Sequence, residues 1–140
     1  MASAALVDTS AIVAAFGLRQ TRTAHYQALL QTAAAESWSL STTWPCIVEA
    51  SHLLDVPRRY TMLRWIAAGA VSVFPIDPET LEELVELMVR WTERPRTEMD
   101  LADASLVWLA GETGVDRIMT MDQRDFSRYR LSGGRAFEIL

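Results

Sequence analysis

The stretch Ala4-Ala5-Leu6-Val7-Asp8-Thr9-Ser10 places an acidic side chain directly after a short apolar segment and before two residues of the type that begins helices. Residues 4–7 predict a short buried strand, and residues 11–16 predict a helix that Gly17 ends. A strand that leads directly into a helix is the repeating unit of α/β folds. Asp8 is open to two interpretations at this point, a helix N-cap or a functional carboxylate.

The same alternation of strands and helices continues along the chain. Further strands are predicted at residues 38–42, 70–76, 117–121 and 136–140, and further helices at 23–35, 45–54, 57–68, 79–91 and 101–112. Residues 94–96 (Arg-Pro-Arg) predict a loop. Because no repeat and no linker interrupts this pattern, we predict one α/β domain over residues 1–140, with a mostly parallel sheet flanked by helices.

Composition limits the classes of function. The net charge is −5, which argues against nucleic-acid binding by bulk charge alone. All thirteen basic residues are arginine, so a mechanism that needs a catalytic or phosphate-binding lysine is excluded. Cys46 is the only cysteine, which fits a reducing cytoplasm. The N-terminal apolar segment is short, lacks a basic flank and is interrupted by Asp8, which argues against a signal peptide.

Acidic residues recur where a core or helix residue of another type would be expected. They occur after two predicted strands, within one helix and at the start of another: Asp8, Glu49, Asp100, Asp103, Asp122 and Asp125. In parallel sheets the ligand site lies outside the carboxyl ends of the strands, so acids from separate elements can converge there. A hard divalent cation such as Mg²⁺ takes oxygen ligands of this kind.

Each acid also has a purely structural interpretation. Glu49 could form an ion pair with Arg58 or Arg64. Asp100 could interact with a helix dipole, and Asp122 and Asp125 could shape the turn after a strand. Asp103 lies deeper in its helix, where a capping role is not available. Only the conjunction of these acids in chain order carries weight.

That order resembles the PIN-domain family, and in particular the VapC-type toxins of bacterial toxin–antitoxin pairs. The matching stretches are Val7-Asp8-Thr9-Ser10, Glu49 on the third predicted helix, residues 99–107 (Met-Asp-Leu-Ala-Asp-Ala-Ser-Leu-Val) and residues 120–126 (Thr-Met-Asp-Gln-Arg-Asp-Phe). The last stretch resembles the family's Thr-x-Asp/Asn-x-x-Asp-Phe motif. The resemblance extends over essentially the whole chain.

The resemblance implies a sheet of four or five parallel strands and Mg²⁺- or Mn²⁺-dependent endonucleolytic cleavage of RNA, with transfer or ribosomal RNA as the expected target. By position it implies that Asp8, Glu49, Asp103 and a fourth acid are metal ligands. Asp122 is preferred as the fourth acid because it follows the predicted strand directly, and Asp125 and Asp100 are accessory candidates. It further implies a homodimer and a cognate antitoxin.

Other residues carry weaker expectations. The hydroxyls of Thr9, Ser10 and Thr120 could hold a ligand carboxylate or a water. Two groups of arginines could contact phosphates, although surface charge is the simpler interpretation for any one of them. They are Arg58, Arg59 and Arg64 after Glu49, and Arg117, Arg124, Arg128, Arg130 and Arg135 near the C-terminus. Trp44 and Trp65 are candidates for an antitoxin or dimer surface. The alternative functions are a phosphoryl-accepting receiver, which the missing lysine disfavours, and a non-catalytic PIN-like binding module.

Overall fold

A parallel five-stranded sheet forms the centre of the computed structural model, which describes residues 3–93 and 95–140. The strands are β1 (Ala4–Val7), β2 (Ser39–Thr43), β3 (Ser72–Phe74), β4 (Arg117–Met119) and β5 (Glu138–Ile139). The helices in the described residues are α1 (Thr9–Phe16), α2 (Thr23–Ala35), α3 (Trp44–Leu53), α4 (Val56–Ala67), α5 (Pro78–Trp91), α6 (Leu101–Thr113) and α7 (Gln123–Phe126). The prediction of an α/β fold with a parallel sheet of four or five strands is therefore confirmed.

The strand order is β3-β2-β1-β4-β5, so successive strands are added first on one side of β1 and then on the other. The chain builds outward from β1 to β2 and β3, and then returns to place β4 and β5 on the other side of β1. The carboxyl ends of β1 and β4 therefore flank the switch point of the sheet, where open α/β sheets hold their ligands.

The core lies on both faces of the sheet because successive side chains of a strand point in opposite directions. In β1, Ala5 and Val7 pack into a cluster with α1 to α4, whereas Leu6 packs into a second cluster with α5 and α6. Helix α6 belongs to this second cluster and is buried along most of its length. Polar side chains placed on such an element lie inside the protein unless a cleft reaches them.

The last three strands are shorter than the sequence predicts, and helix α7 was not predicted. The strand predicted at residues 70–76 pairs with β2 only over Ser72–Phe74, and its last pair, Phe74 with Thr43, coincides with the end of β2. The strand predicted at 117–121 ends at Met119, and α7 begins four residues later. The sequence predicts that Gly111 and Gly114 close the helix at 101–112, and Gly111 instead lies inside α6. The helix ends at Gly114, whose φ of 75° suits glycine. Of the predicted loop at 94–96, Arg94 lies outside the described residues.

Helix α5 does not bury the whole apolar face that its sequence forms. Leu84 is fully buried, but Leu81 and Val85 on the same face are 42% and 49% exposed. The burial of α5 is thus set by how it contacts α6, and a stripe of apolar side chains remains at the surface.

Within the described part of the chain, none of the helices combines the length and the apolar character that crossing a bilayer requires.

Candidate metal centre

All six acids singled out in the sequence line one cleft of about 390 Å³ at the carboxyl edge of the sheet. They reach it from four parts of the fold: the end of β1, helix α3, the start of α6, and the start of α7 (Asp8; Glu49; Asp100 and Asp103; Asp122 and Asp125). The convergence follows from the switch point between β1 and β4, which leaves a crevice above the sheet at this position.

Asp8 is held by hydroxyl groups rather than acting as a helix cap. It occupies the position before α1, but its side chain makes no capping hydrogen bond. Its Oδ2 instead accepts from Thr120 Oγ1 at 2.7 Å and from Ser10 Oγ at 2.9 Å. Ser10 and Thr120 also accept from the backbone N–H groups of Met121 and Asp122, at 2.9 Å and 3.0 Å. This arrangement fixes the orientation of Asp8 with respect to the segment that carries Asp122.

Thr9 does not take part in that arrangement. Its hydroxyl donates to the backbone carbonyl of Cys46 at 3.2 Å, which joins the start of α1 to α3. The hydroxyl of Thr9 therefore contacts no carboxylate in the described structure, whereas those of Ser10 and Thr120 both contact the carboxylate of Asp8.

Asp103 is a buried carboxylate with a single side-chain partner in the described structure. It is 9% exposed, and its Oδ2 accepts from the hydroxyl of Tyr129 at 2.8 Å. Asp100, one helical turn earlier, caps α6 by accepting from the backbone N–H of Asp103 at 2.8 Å. Asp100 thus has a structural role in addition to its position in the cleft.

Asp122 and Asp125 both approach Asp103. One carboxylate oxygen of Asp103, one of Asp122 and one of Asp125 lie within 4.8 Å of one another. Asp122 also caps α7 through Asp125 N–H at 3.1 Å, and Asp125 forms an ion pair with Arg128 at 3.3 Å. The sequence-based reason for preferring Asp122, that it directly follows a strand, does not hold because β4 ends at Met119.

Glu49 lies at the exposed rim of the cleft, on α3. Neither alternative partner for its carboxylate is used: Arg58 pairs with Asp55, and no ion pair between Glu49 and Arg64 is present in residues 3–93. Glu98 and Gln20, which the sequence analysis did not single out, also line the cleft.

The electrostatics of the cleft disfavour negative charge in the absence of a cation. Burial, followed by the charges of Asp100 and Asp8, raises the pKa of Asp103 to about 8. Burial also raises the pKa of Asp8, although the hydroxyls of Thr120 and Ser10 oppose the shift. The pKa values of Glu49 and Asp122 are raised in the same direction, with burial as the largest cause in each.

The donor set fits a hard divalent cation. Carboxylate oxygens from three residues lie within the span that a single ion can bridge, and the cleft is acidic enough to need positive charge. No cysteine and no histidine is among the described residues that line the cleft, and the sulfur present there is the weakly ligating thioether of Met121.

Most of the predicted phosphate-binding arginines are already engaged. Arg59 donates to the backbone carbonyls of Ser51 and Leu54, and Arg128 donates to that of Trp91 at 2.7 Å. The simpler interpretation, structural surface charge, therefore accounts for these arginines. Trp65 is partly buried and packs against Phe16 with ring centroids 5.0 Å apart, whereas Trp44 is 49% exposed and is the more accessible of the two predicted surface candidates.

Comparison with known proteins finds one matching family model, a full-length relative and a similar solved structure. The PIN domain family model matches residues 5–131. Ribonuclease VapC26 of Mycobacterium tuberculosis is 24% identical over 139 residues, covering 96% of this chain and 98% of that protein. The crystal structure of M. tuberculosis VapC20, described as a toxin that cleaves the sarcin-ricin loop, superposes with a TM-score of 0.73. The match covers 86% of this chain and 92% of that one at 18% identity, and so supports the fold alone.

Proposed function

The chain belongs to the PIN-domain family, and on that premise we propose that it is a divalent-metal-dependent endoribonuclease that acts as the toxin of a toxin–antitoxin pair. The observation that carries the proposal is the cleft in which the buried carboxylates of Asp8 and Asp103 meet Asp122 and Asp125. Protein stability alone does not explain this cluster, because burial and mutual repulsion raise the pKa values of these acids.

We assign the metal-holding role to Asp8, Glu49, Asp103 and Asp122, with Asp125 and Asp100 as accessory ligands, and Mg²⁺ or Mn²⁺ as the cation. When bound, such an ion supplies charge compensation and makes a water nucleophilic enough to attack a phosphodiester. The protein's own contribution is to orient the ligands: Ser10 and Thr120 hold Asp8, and the α7 cap holds Asp122. The exposed rim at Glu49 leaves the cleft open to an extended substrate.

The substrate class in this proposal is RNA, with transfer or ribosomal RNA as the target. The ribonuclease name of the M. tuberculosis relative supports the chemistry, since that protein matches nearly the full length of this chain. The cytoplasm is the proposed site of action, because the RNA to be cut is there.

The test of the function is cleavage of RNA by the purified protein in Mg²⁺, in Mn²⁺ and in EDTA. We expect cleavage with either ion and none in EDTA, together with growth arrest when expression is induced in a bacterial host. Cleavage that persists in EDTA would contradict the metal mechanism. If no condition gives RNA cleavage or growth arrest, the result would favour the alternative, a non-catalytic PIN-like binding module.

We also propose a homodimer in which a second copy covers the apolar surface beside the cleft. A groove of about 760 Å³ lies between α3, the end of β3 and the start of α6, and Glu49 and Asp100 line both the groove and the cleft. Its exposed apolar members are Trp44, Val48, Leu53, Leu81 and Leu101. An apolar patch of this kind usually marks an interaction site.

Sedimentation velocity tests the dimer. Wild-type protein is expected to sediment as a dimer, and Leu81→Glu, which places a charge in the groove, as a monomer. Leu18→Glu serves as the matched control, because Leu18 is 71% exposed and does not line the groove. A wild-type protein that sediments as a monomer at micromolar concentration would contradict the proposal.

A cognate antitoxin is the last partner in the proposal. A smaller groove of about 300 Å³ also adjoins the cleft and shares Val13, Gln20 and Leu53 with it. Leu18 lines this groove and is 71% exposed, and the exposed Val56 follows Asp55, which also lines it. A segment bound along this groove would reach the acids and block them, so a co-expressed antitoxin is expected to relieve the growth arrest.

A further inference from the structure

Tyr129 joins the two segments that carry the acids of the cleft. Its hydroxyl donates to Asp103 Oδ2 on α6 at 2.8 Å, and its backbone N–H donates to the carbonyl of Asp125, at 3.1 Å. Tyr129 and Asp103 are 26 residues apart in the chain. Nothing in the sequence pattern around Tyr129 indicates this contact.

The ring of Tyr129 is packed on several sides, which restricts the position of its hydroxyl. The residue is fully buried. Its ring meets Phe126 edge to face with centroids 5.1 Å apart, and Trp91 with centroids 5.9 Å apart. The Arg128 guanidinium carbon lies 5.1 Å from the ring centre. Contacts on several sides leave the hydroxyl little freedom to follow a moving carboxylate, so the carboxylate must follow the hydroxyl.

The hydrogen bond divides the two oxygens of Asp103 between two tasks. Oδ2 is occupied by the hydroxyl proton, which leaves Oδ1 as the oxygen with full capacity to coordinate a cation. We infer that Tyr129 is a positioning residue that holds Asp103 so that it coordinates the cation through one oxygen. This inference rests on the function proposed above. Partners of this kind orient a ligand, and their loss weakens metal binding without removing the ligand itself.

The test is Mn²⁺ binding by Tyr129→Phe, measured from the electron paramagnetic resonance signal of free Mn²⁺. Phenylalanine keeps the ring and its packing but removes the hydroxyl. We expect Mn²⁺ to bind about 10-fold more weakly than to wild type. The Mn²⁺ concentration for half-maximal RNA cleavage should rise by the same factor, while KM for RNA at saturating Mn²⁺ stays unchanged. A merely structural role would lower the melting temperature without moving the Mn²⁺ affinity measured well below it.

Tyr60→Phe is the matched control. It makes the same chemical change on α4, where Tyr60 is 53% exposed and does not line the cleft. This variant should keep wild-type Mn²⁺ affinity. Wild-type affinity in Tyr129→Phe would overturn this inference and leave the proposed function intact. A wild-type protein that binds no Mn²⁺ would overturn both.

Discussion

Asp103→Asn is expected to lower metal-dependent RNA cleavage by more than about 100-fold, because loss of a ligand should exceed the cost of losing a partner that only orients one. Asparagine keeps the shape of the side chain and can still accept the hydrogen bond from Tyr129. It removes the negative charge that a cation needs at the buried position between Asp8 and Asp122. Asp8→Asn should have an effect of similar size, since Asp8 is 4% exposed and faces the same cleft.

The control is the same substitution at the other edge of the sheet. Asp116 precedes β4, lies outside the cleft and pairs with Arg135 at 3.2 Å. Asp116→Asn should cleave RNA at the wild-type rate. Initial rates with excess Mg²⁺, alongside circular dichroism spectra that verify the fold, provide the comparison. Cleavage that survives in both Asp8→Asn and Asp103→Asn would exclude the site assigned here.

The metal-free protein is expected to lose stability as the pH rises from about 4 to about 8. The pKa of Asp103 is about 8 in the folded protein, against 3.8 as its ordinary value. Between those two values the folded chain holds a proton that the unfolded chain has released, so a rise in pH favours unfolding. Burial raises the pKa of Asp8 and acts in the same direction. The melting temperature in EDTA should fall by on the order of 10 °C across this range.

Divalent metal should reverse the trend. An ion that binds only the folded, ionised cleft stabilises the protein in proportion to the logarithm of its concentration, and more at pH 8 than at pH 5. Asp103→Asn should flatten the curve in EDTA and melt above wild type at pH 8, whereas Asp116→Asn should follow wild type. A wild-type melting temperature that rises from pH 5 to pH 8 in EDTA would show that the acids do not repel one another as the structure indicates.

The fold was predictable because its elements have strong local signals. Helix α2 begins and ends as predicted, and the helix predicted at 79–91 appears as α5 (Pro78–Trp91), with the Asp77 side chain capping Thr80 N–H. Where the prediction was wrong, the deciding interaction was not local. β4 stops at Met119 because the next residues turn toward Ser10 and Asp8, and the sequence does not reveal those partners.

The acids of the site were predictable as a set, but their individual environments were not. Residue type and chain order identify Asp8 and Asp103, since an acid after a buried strand or inside a buried helix is unusual. The hydroxyl of Tyr129 was missed because a tyrosine near an aromatic cluster predicts packing alone. The exposure of Leu81 and Val85 was missed because the pattern of α5 shows an apolar face without showing what covers it.

The hydrogen bond from Thr120 to Asp8 spans 112 residues and has a consequence for synthesis. A protein is synthesised from its N-terminus to its C-terminus, so β1, β2 and the first four helices can assemble before β4 and α7 have been made. Until then Asp8 lacks the hydroxyl of Thr120, and the cleft lacks Asp122 and Asp125. On the function proposed here, the nuclease is therefore harmless to the ribosome that is making it until translation of the chain is nearly finished.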